Sequence, residues 1–106
     1  VPVVPQADAA WHVYVLTDEA RRAFSISIAR DVIARCYRHR QLVDTADMPR
    51  RPTPRLVLVE AYACRHTAFA RMRRMRLWNI RELRAMIETT NPDWDDLYRD
   101  PFEQSA

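Results

Sequence analysis

The chain contains no glycine in 106 residues, and that absence constrains its fold more than any other feature. Glycine is the residue that enters the left-handed backbone region, or lets another chain approach its backbone closely, at little steric cost. Average usage of about 7% would supply about seven of them. Every motif whose chemistry needs glycine is therefore missing, which removes phosphate-cradling P-loops and dinucleotide-binding fingerprints together. What remains must be built from regular elements and from turns that other residues can make.

Hydrophobic residues form 48% of the chain and charged residues 29%, a balance that excludes a disordered chain. At this length one domain can bury a core without help from metals or disulfides. No uncharged apolar run approaches the ~18 residues of a membrane-spanning helix. Val1 to Ala10 lacks the basic start and apolar stretch of a secretory signal. With two cysteines, Cys36 and Cys64, a disulfide scaffold is not indicated, so a cytoplasmic location with reduced thiols is expected.

The net charge of +3 conceals a division along the chain. Residues 21–84 hold 16 arginines against Asp31, Asp44, Asp47, Glu60 and Glu82, while residues 85–106 hold one arginine against six carboxylates. Lysine is absent, so every basic side chain is the planar guanidinium fork that matches phosphate oxygens. A basic body of this kind suits nucleic acid, although arginines also cover cores and pair with acidic tails.

The element pattern is readable. Val1 to Ala10 reads as a loose arm, Trp11 to Thr17 as a strand, and F-S-I-S-I from Phe24 to Ile28 as a second strand with one apolar face. Their short connection predicts an antiparallel hairpin. Asp31 stands as N-cap to a helix carrying Val32, Ile33, Cys36 and Tyr37 at helical spacing. The prolines between Met48 and Pro54 demand a loop, whose Arg50 and Arg51 could make it an extended ligand for a partner, with a plain surface loop favoured. Arg55 to Ala63 reads as a largely buried third strand. Thr67 is expected to cap a helix with Ala68, Met72 and Met75 on one face. A last helix over Ile80 to Glu88 turns Ile80, Leu83, Met86 and Ile87 inward and ends at Asn91-Pro92. The order β-β-α-β-α-α predicts a small α+β domain, a three-stranded antiparallel sheet flanked by helices over residues 11–100, with 101–106 as a tail.

With these residues in place, the chain resembles the small stand-alone bacterial members of the GIY-YIG nuclease superfamily. H-V-Y-V-L is similar to the family's first strand, Y-V-Y-I-L, and puts Tyr14 at its tyrosine. Against Y-I-G-V-T-x-D-L-x-x-R-x-x-E-H, the run from Ser25 to His39 places Asp31, Arg35 and His39 on the family's aspartate, catalytic arginine and histidine. L-V-L-V-E-A-Y resembles the third strand, Ala68 to Trp78 the family's A-x-x-R-E-x-x-x-K-x-W, and Asn91 to Tyr98 its N-P-x-W-x-D-L-Y tail.

The resemblance implies a metal-dependent phosphodiester site in which a helix glutamate anchors one divalent ion, an arginine neutralises the phosphate and tyrosines orient water. Tyr14, Arg35 and His39 are its retained positions. Ser25 replaces the second tyrosine, Ser27 the glycine and Met72 the metal-anchoring glutamate. A thioether is a soft neutral donor, whereas Mg²⁺ takes hard oxygen ligands. The expectation is a pseudonuclease without a cofactor that binds nucleic acid, DNA favoured, through Arg35, Arg38, Arg71, Arg73, Arg74 and Arg76. Two alternatives stand beside it. One is an active nuclease using Mg²⁺ or Mn²⁺ on a displaced carboxylate, for which Glu60 and Glu82 are the candidates. The other is a protein-interaction module with an acidic partner. Cys36, His39, Cys64 and His66 form the inventory of a zinc site, but not at finger spacings, and buried thiol packing is the preferred reading. Trp11, Trp78 and Trp94 are expected in the core and its closing turn.

Overall fold

The computed structural model describes residues 10–45 and 54–99. The expected arm up to residue 9, most of the Met48 to Pro54 loop and the 101–106 tail lie outside the described residues. Six elements follow in the expected order: β1 (Trp11–Thr17), β2 (Phe24–Ala29), α1 (Val32–Thr45), β3 (Arg55–Tyr62), α2 (Arg65–Met75) and α3 (Ile80–Thr90). The chain is a small α+β domain with one three-stranded sheet, ordered β2-β1-β3 and antiparallel throughout.

Strand alternation divides the core in two, because successive side chains leave a strand on opposite faces. Val13, Val15 and Ile26 pack with Ala68, Met72, Met75, Leu83, Ile87 and Trp94 on the α2/α3 face. Tyr14, Leu16 and Ala29 pack with Val32, Cys36 and Leu97 on the α1 face. β3 needs a register shift to serve both: Val15 lies opposite Leu58 but Leu16 lies opposite Leu56, leaving Val57 as an extra residue. Val57 and Leu58 consequently both join the α2/α3 core, while Leu56 and Val59 join the other.

Polar side chains set the starts of α1 and α3. Asp31 Oδ1 accepts the Ala34 backbone N–H at 3.0 Å, as its place before α1 predicts. Asn79 and Glu82 close a reciprocal capping box at α3, so Glu82 is a helix-capping residue. Two expectations are corrected. α2 begins at Arg65 with an extended Cys64 at its N-cap, and Thr67 sits inside the first turn with its hydroxyl 3.1 Å from Cys64 Sγ. The reason is that the Ala68 N–H already bonds to the Cys64 carbonyl, three residues before Thr67 could cap. Ile80 is 49% exposed rather than inward, because at the first position of α3 it precedes the stripe formed by Leu83 and Ile87.

Among the described residues, two occupy the left-handed region that glycine would ordinarily fill: Arg21 (φ 58°) in the β1–β2 turn and Trp94 (φ 56°) in the closing turn. They support each other, since the Arg21 guanidinium lies 4.9 Å from the Trp94 ring centroid. Arg84 also donates to the Arg21 carbonyl. Arg21→Gly and Arg21→Ala remove the same guanidinium and differ chiefly in backbone cost. The glycine variant is expected to be the more stable by about 1 kcal/mol in urea unfolding, and the reverse order would contradict strain at this turn.

Candidate functional site

The hairpin and α1 bring several of the expected site residues together on one face of the sheet. Tyr14 lies opposite Ser27 across the β1–β2 pair, and the Ser27 hydroxyl and the Arg35 guanidinium lie close enough to its phenol to favour the phenolate. Arg35 reaches this point from the second turn of α1, whose first turn is fixed by Asp31. One step along β2, Ser25 faces the same way and joins His39, Thr17 and Asp18 around a shallow cleft of about 230 Å³. Tyr14, Ser25, Ser27, Arg35 and His39 thus share the α1 side, with Arg35, Arg38 and His39 exposed and Tyr14 buried.

The electrostatics of this cluster disfavour proton abstraction by the phenol. Burial raises the Tyr14 pKa above its ordinary 10, and the Arg35 charge and the Ser27 hydroxyl only partly offset it. A general base needs a pKa near the working pH, so Tyr14 remains a neutral, positioned hydroxyl.

The remaining expected residues lie elsewhere. Met72 is 5% exposed and packs into the α2/α3 core, on the opposite face from Tyr14. Arg71 is held in a two-pronged ion pair, with Nε 2.9 Å from Glu60 Oε1 and Nη2 3.1 Å from Oε2, and its guanidinium stacks 5.0 Å from the Trp78 ring. Tyr62 donates to the same Glu60 carboxylate at 2.9 Å. Arg76 spends two donors on the Ile26 carbonyl at the outer edge of β2. Of the arginines assigned to α2, Arg73 and Arg74 are exposed and make no ion pair among the described residues.

A divalent ion does not fit this donor set. The thioether at 72 is enclosed by apolar side chains, both Glu60 oxygens are committed to Arg71 and Tyr62, and Glu82 closes the α3 cap. No group of three or more His, Cys, Asp or Glu converges among the described residues. The preferred reading of buried thiols holds for Cys36, which lies in the α1-face core with its thiol pushed up to about 11 by burial, and is corrected for Cys64, which is exposed because it precedes the first turn of α2. The Cys64 thiol is lowered instead, mainly by the Thr67 hydroxyl.

Asn91, Trp94 and Asp96 of the tail motif are structural. Asn91 Nδ2 donates to the Val57 and Asp95 carbonyls, and its Oδ1 accepts the Asp95 N–H. Trp94 donates to Glu88, and Asp96 accepts from Leu56 N–H, Tyr98 N–H and Arg40. The Glu60–Tyr62–Arg71 cluster was only partly visible in sequence. Glu60 and Tyr62 sit two apart on one strand face, but nothing local marks Arg71 as their partner.

No family model matches this chain, no curated protein matches it, and no solved structure matches it. Among the described residues, no helix is long and apolar enough to cross a membrane.

Two outcomes follow from this geometry. Met72→Glu should destabilise the fold by roughly 3–5 kcal/mol, because it buries a carboxylate without a partner, and should not create metal-dependent cleavage. A stable variant that binds Mn²⁺ in calorimetry would overturn that placement. Burial and the Glu60 carboxylate push the Tyr62 phenol up to about 12, from 10. The folded state therefore holds this proton after the unfolded chain has released it. Stability from this group is complete below about pH 10 and is lost as the pH rises toward 12, with Cys36 and Tyr14 acting in the same direction. Urea unfolding across this range should show the decline, and Tyr62→Phe should make it shallower.

Proposed function

We propose that this chain is a GIY-YIG-like domain that has lost its metal anchor and binds nucleic acid, DNA favoured, without cutting it. The observation that carries the reading is the closeness of Tyr14, Ser27 and Arg35 on the α1 face, with no group of three or more metal-binding side chains among the described residues. Arg35, with Arg38 one turn region away on the same exposed helix, offers in-plane donors to a phosphate. His39 and Ser25 border the adjoining cleft and add further polar groups. The commitment of Glu60 to Arg71 speaks against the displaced-carboxylate nuclease.

The deciding experiment titrates labelled DNA and RNA with and without Mg²⁺ or Mn²⁺, scored for binding and for cleavage. Binding that weakens steeply with salt is expected, because each neutralised phosphate releases counterions, and no cleavage is expected in either metal. Arg35→Ala should weaken binding several-fold at unchanged stability, whereas Arg71→Ala should cost about 1–3 kcal/mol of stability through its orphaned carboxylate. Metal-dependent cleavage abolished by Arg35→Ala would replace this reading with an active nuclease. Tight binding to an acidic protein without affinity for polynucleotide would replace it with an interaction module.

A further inference from the structure

Five side chains form an alternating ladder of cations and rings. The Arg30 guanidinium lies 5.3 Å from the Trp11 ring centroid, and Arg65 approaches the same ring at 5.6 Å. Arg65 also lies 5.5 Å from the Phe69 ring, and Arg73 continues the series at 6.0 Å. Arg65, Phe69 and Arg73 recur every four residues on α2 and therefore share one helix face, spanning about 12 Å along its axis. Arg30 joins from the end of β2, where its carbonyl lies 3.0 Å from Nδ1 of the buried His12.

Two features combine in these three arginines. None of them forms an ion pair among the described residues, whereas Arg40 and Arg71 do. Their contacts are also of a kind that leaves hydrogen-bonding capacity intact. A guanidinium resting over a ring spends its flat face on the π cloud, and its N–H donors in the molecular plane stay available. The rings thus reduce the rotamer freedom that a phosphate contact would otherwise have to remove. Phe69 is 37% exposed although it is a large apolar residue, and its position between two guanidiniums gives that exposure a purpose.

We propose that Arg30, Arg65 and Arg73, steadied by Trp11 and Phe69, form a rail for the phosphate backbone of a polynucleotide. This inference rests on the nucleic-acid reading above and assigns it a surface separate from the Tyr14–Arg35 cluster. Three guanidiniums that form no ion pair among the described residues complement a polyanion, and nothing in the rail reads base edges, so recognition is independent of sequence.

The test measures binding of a mixed-sequence labelled DNA duplex across a salt series, with circular dichroism confirming that each variant is folded. The triple variant Arg30→Ala, Arg65→Ala, Arg73→Ala should lose at least tenfold in affinity, and its salt slope should be shallower by about 2–3. Phe69→Leu keeps all charges and should still lose about threefold or more, because two guanidiniums lose their support. If the parent binds DNA and the triple variant binds equally well, the rail is wrong while the nucleic-acid reading survives. If Phe69→Leu matches the parent, the rings do not organise the surface and the inference fails. A parent protein that binds no DNA at low salt, or binds polyglutamate as tightly, overturns both.

Discussion

The outer edge of β3 is where the architecture closes. Leu97 donates its N–H to the Leu56 carbonyl at 2.7 Å, and Asp96 Oδ1 accepts the Leu56 N–H at 3.0 Å. Asn91 takes the Val57 carbonyl at 3.1 Å. Without the tail, β3 would present an open row of backbone groups, a liability for any sheet edge. Covering that edge also lets one segment serve both cores, with Trp94 on the α2/α3 face and Leu97 on the α1 face. The bulge at Val57 and the closing turn are coupled, because the carbonyl that the bulge turns outward is the one Asn91 satisfies.

This closure explains why the segment carrying the most specific resemblance contributes so little candidate chemistry. Asn91, Trp94 and Asp96 spend their polar atoms on backbone and on neighbouring side chains. On the proposed reading, that stretch would bear on architecture alone, and activity would depend on Tyr14, Arg35 and position 72. The first two meet, and the third is enclosed among apolar side chains on the other face.

Much of the fold was legible because its signals are local. The alternation of Phe24 to Ile28, the Asp31 cap and the spacing of Ala68, Met72 and Met75 each act within a few residues of sequence. The bulge was not legible, since L-V-L-V offers no period from which an extra residue could be detected. The left-handed turns at Arg21 and Trp94 were equally hidden, because glycine, the usual marker of such positions, is absent. In the candidate site, the resemblance named Tyr14 and Arg35 as positions, and no local pattern pairs them. The capture of Arg71 by Glu60 and of Arg76 by Ile26 joins residues 11 and 50 positions apart, which no local pattern could reveal.

Those captures change what the arginine count means. Arg40 binds Asp96 and the Pro54 carbonyl while stacking 3.9 Å from the Tyr98 ring centroid. Arg71 and Arg76 use two donors each, and Arg84 ties α3 to the hairpin turn. A lysine ammonium is a point charge without a flat face, and it could not make a forked bond and a stacked contact together. Part of the arginine-only composition is therefore a structural requirement, with guanidiniums acting as struts between elements. The charge available to a polyanion is smaller than the sequence total suggests, because these guanidiniums are committed within the fold.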